Sequence, residues 1–389
     1  MPQVFFSTIM LKYIAFFILL MLVPDFYIWR TFTRHCTSVW PTVLVVLPTL
    51  LALLLMLYSA VCPSAMWAFK AFFMILVCIA VPKLLFLLVA IVGEGAGWLI
   101  PAARGILLKG AVAVGVMAFG VQVFGSVWGW QRLGVNHVGI RVDRLPEGFE
   151  GYRIVQLSDI HLGTYGHDDR LMQRMVDSVN ALHPDLIVFT GDIVNTSPEE
   201  LPPFRNALSR LKARDGILSI LGNHDYCIYG VNMTDAERER NVRRIVDFER
   251  GLGWQVLLNE HATLHRGTDS LCIAGVENTG RPPFPSRGKV SQALQGINPG
   301  TCTLMLSHDP WHWHHGLVGQ TDVALTLSGH THAMQFRIGH FSPAQWVAKE
   351  WGGLYADGRQ KLYVSTGIGG TVGYRLGAWP SIECITLKK

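Results

Sequence analysis

The chain has 389 residues, of which 50% are hydrophobic and only 16% are charged. This composition excludes a disordered chain, which requires low hydrophobicity, and it is too apolar for a typical soluble protein, in which about 25% of residues are charged. Residues 1–132 contain eight Lys or Arg but only two acids, a net charge of +6, whereas residues 133–389 have a net charge of −1. We therefore interpret the sequence as a membrane part followed by a soluble part, whose near-neutral charge disfavours nucleic acid as a partner.

The membrane part, residues 1–132, contains four long apolar runs, each close to the ~20 residues that a helix needs to cross a bilayer. Pro82 and Lys83 interrupt the third run. They favour a kinked helix with a packed or snorkelling lysine, although a charge within a span can also be functional. The sequence thus predicts a multi-pass α-helical membrane segment in a lipid bilayer, with helices at about 9–28, 41–61, 71–92 and 107–129.

The orientation of these helices is predicted from the positive charges in the short loops between them. Cytoplasmic loops are enriched in Lys and Arg, and the first and third loops hold most of them, namely Arg30, Arg34, Arg104 and Lys109. Four spans would then place the soluble part on the periplasmic or extracellular side of the plasma or inner membrane. Arg132 and Arg141, just after the last span, favour the opposite orientation.

The soluble part begins with a predicted linker, residues 133–150, which contains Gly, Pro and mixed charge. Beyond it, the runs 153–157 and 186–189 are typical of buried strands, and 168–182 shows the apolar spacing of an amphipathic helix. The first half alternates strands and helices, and the second half is mostly strands. Residues 151–389 are therefore predicted to form a layered α/β domain with sheets inside and helices outside.

Side chains of the kinds that bind metals recur just after the predicted strands, which is where open α/β sheets bind ligands. In an extended chain, residues i and i+2 point the same way, so Asp159 and His161 are expected to converge on one site, as are His330 and His332. These positions belong to five short motifs: Asp159-Ile160-His161, Gly191-Asp192, Gly222-Asn223-His224-Asp225, Ser307-His308-Asp309-Pro310 and Gly329-His330-Thr331-His332.

The order of these motifs, D-x-H, G-D, G-N-H-D, H and G-H-x-H, resembles that of the calcineurin-like metallophosphoesterase superfamily. A looser similarity in the tail points to its membrane-anchored bacterial phosphodiesterase-like branch. The resemblance implies a four-layer αββα sandwich and two divalent metal ions, and a mixed imidazole and oxygen shell fits Mn, Fe or Zn. The first metal would be bound by Asp159, His161, Asp192 and His332, and the second by Asp192, Asn223, His308 and His330, with Asp192 bridging.

The same resemblance implies catalytic roles for His224 and Asp225. A hydroxide bridging the metals would attack phosphorus, His224 would protonate the leaving oxygen as general acid, and Asp225 would orient the ring of His224. The implied activity is hydrolysis of a phosphodiester or pyrophosphate, and the membrane part suggests a lipid or nucleotide-linked lipid substrate. The alternative is a non-catalytic membrane sensor that binds a phosphorylated ligand. The substrate, the native metals and the oligomeric state stay open.

An aromatic stretch, residues 341–355, follows the last motif and includes Trp346 and Trp351. It is interpreted either as a packed insertion or as a lipid-facing segment, since aromatic side chains favour the membrane interface. In the second case, replacing both tryptophans with alanine should weaken action on lipid vesicles and spare a small chromogenic diester.

Overall fold

The computed structural model describes residues 8–62, 64–282 and 284–389, with side chains from residue 16 onward within these ranges. The chain forms two compact units, a helical unit that ends at Ser126 and an α/β unit from Val127 to Lys389. The division lies close to the end of the membrane part predicted at residue 132.

The helical unit consists of long apolar helices. In the described part of the chain, four stretches are long and apolar enough to cross a membrane. The third, residues 66–99, is longer than the predicted 71–92 because two helices continue into each other through a π-helical turn, Leu76–Ala80, just before Pro82. Proline lacks an N–H and crowds the preceding turn, so a wider turn at this point lets the helix continue. The helices are α1 Thr8–Ile28, α2 Trp40–Val61, α3 Met66–Ile75, α4 Val81–Leu99 and α5 Pro101–Val127.

Lys83 of α4 is packed inside the helical unit. Its ammonium donates hydrogen bonds to the Asp25 carboxylate of α1 and to the Val45 carbonyl of α2, both at 2.6 Å. Asp25 is only 3% exposed. The pair therefore compensates two charges that would each be costly in an apolar environment, and it ties three helices together.

Breaking this ion pair is expected to destabilise the helical unit. Lys83→Met leaves a buried carboxylate without its cation, a change that typically costs about 3–5 kcal/mol. We expect a lower thermal-unfolding midpoint for the full chain in detergent, and the double variant Lys83→Met with Asp25→Leu should recover most of the loss. An unchanged midpoint in Lys83→Met would show that the pair does not stabilise the unit.

A pair of six-stranded sheets forms the centre of the α/β unit. In chain order the strands are β1 Gly134–Arg141, β2 Arg153–Leu157, β3 Leu186–Phe189, β4 Ile217–Ser219, β5 Gln255–Val256, β6 Glu260–Arg266, β7 Asp269–Gly275, β8 Thr303–Leu306, β9 Leu325–Ser328, β10 Gly353–Asp357, β11 Gln360–Val364 and β12 Ser381–Lys388. The first sheet has the order β1-β12-β2-β3-β4-β5, and β2 to β5 are parallel. The second has the order β10-β11-β9-β8-β7-β6, and β7, β8, β9 and β11 are parallel.

Helices cover the outer face of each sheet. In the α/β unit they are α6 Arg170–Ala181, α7 Arg205–Leu208, α8 Asp235–Gly251 and α9 Val290–Ala293. One apolar cluster, with Ile154 of β2 and Leu304 of β8, lies between the sheets. A second packs Met175 of α6 and Ile245 of α8 on the first sheet, and a third packs Ala293 of α9 on the second. The predicted four-layer αββα sandwich is therefore confirmed.

The predicted linker, residues 133–150, is wrong in its first half, because β1 lies there. This strand pairs in parallel with β12 at the edge of the first sheet. Of its residues, only Ile140 is fully buried, so the apolar alternation that marks a strand is weak. The partner strand comes from the far end of the sequence, and local pattern therefore could not indicate the pairing.

Candidate metal centre

Loops that follow parallel strands build the candidate site. The five motifs come directly after β2, β3, β4, β8 and β9, as predicted. Parallel strands bring their carboxyl ends to one edge of a sheet, and the two sheets pack face to face. The structure thereby assembles in one place all the side chains predicted to bind metal: Asp159, His161, Asp192, Asn223, His308, His330 and His332.

The backbone at these positions is unusual. Asp159, His161, Asp192, His330 and His332 all have positive φ angles, between 50° and 74°. A non-glycine residue in this left-handed region costs on the order of 1–3 kcal/mol, and such strain concentrates at functional sites. The expectation that an extended chain aligns residues i and i+2 is therefore wrong. Tight left-handed turns direct both members of each pair into the site.

Asp159, His161 and His332 form the first group of potential metal donors. The Nε2 atoms of His161 and His332 lie 3.2 Å apart, and His332 Nε2 lies 3.5 Å from Asp159 Oδ1. Ser158 Oγ donates to Asp159 Oδ2 at 2.5 Å, and the His330 backbone N–H donates to the same oxygen at 3.0 Å. These two bonds fix the direction of the Asp159 carboxylate.

The second group contains Asp192, Asn223, His308 and His330. Asn223 Oδ1 lies 2.8 Å from His330 Nδ1 and 3.2 Å from His308 Nε2. His308 Nδ1 lies 2.7 Å from the carbonyl oxygen of Thr190, so this nitrogen carries a proton and donates it. In the neutral ring, the lone pair of His308 Nε2 is then directed at the group, which is the tautomer that a metal ligand needs.

Asp192 lies between the two groups. Its Oδ2 is 3.1 Å from His308 Nε2 and 3.7 Å from His161 Nε2. The backbone N–H of His224 donates to the other oxygen, Oδ1, at 2.8 Å and so orients the carboxylate. One oxygen thus faces both groups, which is the arrangement required of a ligand that bridges two adjacent cations.

The chemistry of the donor set fits divalent metal ions. In both groups, imidazole nitrogens and carboxylate or amide oxygens face one another at 2.8–3.7 Å, although each is a hydrogen-bond acceptor unless it is protonated. Buried polar atoms in such contact need a cation or a proton between them. A mixture of nitrogen and oxygen ligands suits Mn, Fe or Zn, whereas Mg and Ca prefer sites made of oxygen ligands alone.

Electrostatics distinguish one histidine from the others. Burial lowers the pKa values of His161 and His332 well below the usual value and also lowers that of His330, so these rings are neutral. Burial acts in the same direction on His308, but the adjacent Asp192 carboxylate raises its pKa to about 10. A metal ion that binds here therefore displaces a proton from His308.

His224 is only half-buried and faces the same site. Its Nδ1 lies 2.6 Å from the carbonyl oxygen of Asn195, and its ring packs at 4.6 Å from that of His161 and 4.2 Å from that of Tyr229. A ring nitrogen of His224 also belongs to a group with His161 and Asp192 whose donor atoms all lie within 4.8 Å. The geometry thus admits two roles, a further metal ligand or a proton donor beside the metals.

Asp225 binds the backbone rather than the ring of His224, so its predicted orienting role is wrong. The Asn195 carbonyl is the group that contacts the ring. The fully buried Asp225 carboxylate accepts hydrogen bonds of 2.8–3.3 Å from the backbone N–H groups of Asp192, Ile193, Val194 and Gly222. It thereby fixes the two loops after β3 and β4 against each other.

Arg375, a residue of the tail that is similar to the membrane-anchored branch, lies against the site. It is 1% exposed, and its Nη2 lies 3.4 Å from His332 Nδ1. Burial and the positive charge of Arg375 together lower the pKa of His332. The guanidinium donates to carbonyl oxygens of the chain that follows β11, namely those of Thr366, Gly369 and Ala378. Only its tertiary partners reveal this role.

A cavity of about 680 Å³ opens beside His330. Phe284 forms part of its wall, with its ring edge-on to that of His330 at a centroid distance of 5.0 Å. Charged side chains of both signs line the same cavity, namely Arg281, Lys349, Asp309 and Glu350. Apolar and charged side chains thus form the walls of a cavity next to the second donor group.

The sequence profile described as "Calcineurin-like phosphoesterase" matches residues 152–334. The chain is 34% identical over 220 residues to a "Transmembrane protein with metallophosphoesterase domain" of Danio rerio, covering 55% of this chain and 47% of that protein. It is 30% identical over 263 residues to the uncharacterized metallophosphoesterase YkuE of Bacillus subtilis, covering 64% of this chain and 83% of that protein.

A third relative is the UDP-2,3-diacylglucosamine pyrophosphatase LpxG of Chlamydia trachomatis. The identity is 27% over 332 residues, covering 70% of this chain and 97% of that protein. The chain spans about half the length of its relatives from Danio rerio and Bos taurus.

Proposed function

Because this chain belongs to the calcineurin-like phosphoesterase family, we propose that it is a membrane-anchored phosphoric ester hydrolase that uses two divalent metal ions. The observation that carries the proposal is the position of Asp192, whose Oδ2 faces His308 on one side and His161 on the other. An oxygen shared in this way supports two adjacent cations rather than one.

The buried donors hold the two cations in this proposal, and Mn, Fe or Zn suits their mixed imidazole and oxygen character. When bound, the cations would polarise the phosphoryl oxygens and lower the pKa of a water molecule. The first is assigned to Asp159, His161, His332 and Asp192, and the second to Asn223, His308, His330 and Asp192.

His224 is assigned the role of the general acid that protonates the leaving oxygen. Its Nδ1–H donates to the Asn195 carbonyl, so in the imidazolium form the transferable proton resides on Nε2. The ring is half-buried beside Asp192, where it can reach both the donor groups and a substrate. A proton donor placed in this way typically contributes about 10²–10⁴-fold to the rate.

Asp225 is assigned a positioning role, and Asp225→Asn is expected to weaken metal binding by about 10–100-fold, the range typical of changes around metal ligands. The amide nitrogen would replace a hydrogen-bond acceptor with a donor facing backbone N–H groups, which loosens the loop that carries Asp192. Metal titrations of activity should show a higher half-saturating concentration with kcat mostly retained. A lower kcat with unchanged metal affinity would contradict this role.

The proposed substrate is a lipid-linked or nucleotide-linked phosphodiester or pyrophosphate. Three features support this class: the apolar helices on the same chain, the cavity with apolar and charged walls beside the metal donors, and the relative from Chlamydia trachomatis, which is a pyrophosphatase of UDP-2,3-diacylglucosamine. The Lys and Arg of the helical loops support a periplasmic or extracellular α/β unit. Activity of a reporter that is fused after Lys389 and works only in the cytoplasm would contradict this orientation.

The non-catalytic alternative, a membrane sensor that binds a phosphorylated ligand, has less support. A protein that only binds phosphate needs neither a shared carboxylate oxygen nor a histidine held with one nitrogen free. Both features are present here.

The test of the proposed function uses the full chain purified in detergent. Metal content is measured first, and hydrolysis of a soluble diester, a monoester and a lipid pyrophosphate is then measured with Mn added and after chelation. We expect turnover of a diester or pyrophosphate that disappears with the chelator and returns with the metal. A protein that binds about two metals and hydrolyses none of these substrates would favour the sensor.

A further inference from the structure

Exposed apolar side chains are concentrated in one segment of the α/β unit. Among the described residues from 133 onward, six of the seven large exposed apolar side chains lie within residues 334–354, and the seventh is Tyr229. We call this segment the apolar loop. Trp346 is 73% exposed and Ile338 is 64% exposed. The six are Met334, Ile338, Phe341, Trp346, Val347 and Leu354.

Hydrogen bonds and a ring contact fix the conformation of the apolar loop next to the candidate site. Ile338 and Phe341 exchange two backbone hydrogen bonds of 2.9 Å and form a tight hairpin, and the ring of Phe341 packs against that of Trp346 at 5.5 Å. The fully buried Ser342 donates to the carbonyl oxygen of Ala333 at 2.7 Å. The loop is thus tied directly to the turn that carries His332, and it holds its apolar side chains outward.

A bilayer leaflet is the partner that suits this surface. A contiguous exposed apolar patch marks an interaction site, and the same chain carries helices apolar enough to cross a membrane. Arg337 and Lys349, both exposed, flank the apolar residues. Aromatic and aliphatic side chains bordered by basic ones are the composition of segments that lie at the headgroup boundary of anionic membranes.

The apolar loop is also continuous with the cavity beside the metal donors. Met334 and Val347 belong to the exposed set and line the cavity that reaches His330. A lipid whose acyl part contacts the loop can therefore place its phosphate near the second donor group.

We infer that the apolar loop docks onto a bilayer leaflet and admits lipid-linked phosphates from that leaflet into the cavity. This inference rests on the proposed function for the substrate, while the docking itself stands on the exposed surface. Trp346 and Ile338 act as docking residues, and neither belongs to the groups of metal donors.

The first test compares two substrates of the full chain reconstituted in nanodiscs that contain anionic lipid. Trp346→Ser combined with Ile338→Ser should lower turnover of a nucleoside-diphosphate-linked diacyl lipid by about tenfold or more, because the variant loses apolar contact with the leaflet. Turnover of a soluble nitrophenyl diester should stay within about twofold of that of the parent protein. Trp346→Phe, which keeps an aromatic ring, should retain most lipid turnover. Equal effects on both substrates would overturn the inference.

The second test does not depend on activity, so its failure is distinguishable from failure of the proposed function. A fluorophore is attached at Trp346→Cys in a background that lacks the three cysteines that are not buried, by Cys36→Ser, Cys62→Ser and Cys78→Ser. Lipids with nitroxide-labelled acyl chains serve as quenchers. We expect strong quenching at this position and little at Arg250→Cys, which lies at the end of α8 away from the metal donors. The absence of quenching at Trp346→Cys would contradict docking. A probe that is shielded to the same extent in detergent, without a bilayer, would indicate contact with a second copy of the chain and would also contradict docking.

Discussion

Asp192→Ala is expected to lower kcat/KM for a phosphodiester by at least about 10³-fold, because the variant removes the ligand shared by both proposed metals. The oxygen that faces His161 and His308 disappears, and so does the negative charge that raises the pKa of His308. The measurement is kcat/KM at saturating Mn together with the metal content per chain, which should fall from about two to one or fewer.

The matched control for this prediction is Asp177→Ala. Asp177 is an exposed acid of α6 that pairs with Arg210 on the surface, and its loss should change neither metal content nor turnover, since exposed pairs contribute only ~0–1 kcal/mol. Full activity in Asp192→Ala with two metals retained would contradict the bridging role of Asp192.

His224→Ala is expected to lower turnover by about 10²–10⁴-fold, the usual contribution of a positioned general acid. The loss should depend on the leaving group, because a nitrophenolate needs little protonation whereas an alkoxide needs a proton donor. We therefore expect a small loss for a nitrophenyl diester and a large loss for an alkyl diester, with the metal content of the parent.

The competing role of His224 gives a different result. The ring nitrogen lies within reach of His161 and Asp192, so a metal ligand at this position is geometrically possible. In that case His224→Ala would lose metal, and both substrates would slow equally.

The residue types and their order in the sequence were sufficient to predict the membrane part, the layered domain and the candidate donors. Apolar run length reports membrane-spanning capacity because it depends only on neighbours in the chain. The motifs at strand ends predict a common site because the carboxyl ends of parallel strands share an edge. The donor residues that the family resemblance implied do meet in the structure, and Asp192 lies between the two groups.

Only the tertiary structure determined the contacts that individual side chains make with distant parts of the chain. Asp225 follows His224 in the chain, yet its carboxylate binds backbone N–H groups about thirty residues earlier. Arg375 contacts His332, and Lys83 pairs with Asp25. Each partnership depends on packing between distant segments, and no local pattern encodes it. The exposure of the apolar loop is decided in the same way, because sequence shows that a side chain is apolar and only the folded chain determines whether anything covers it.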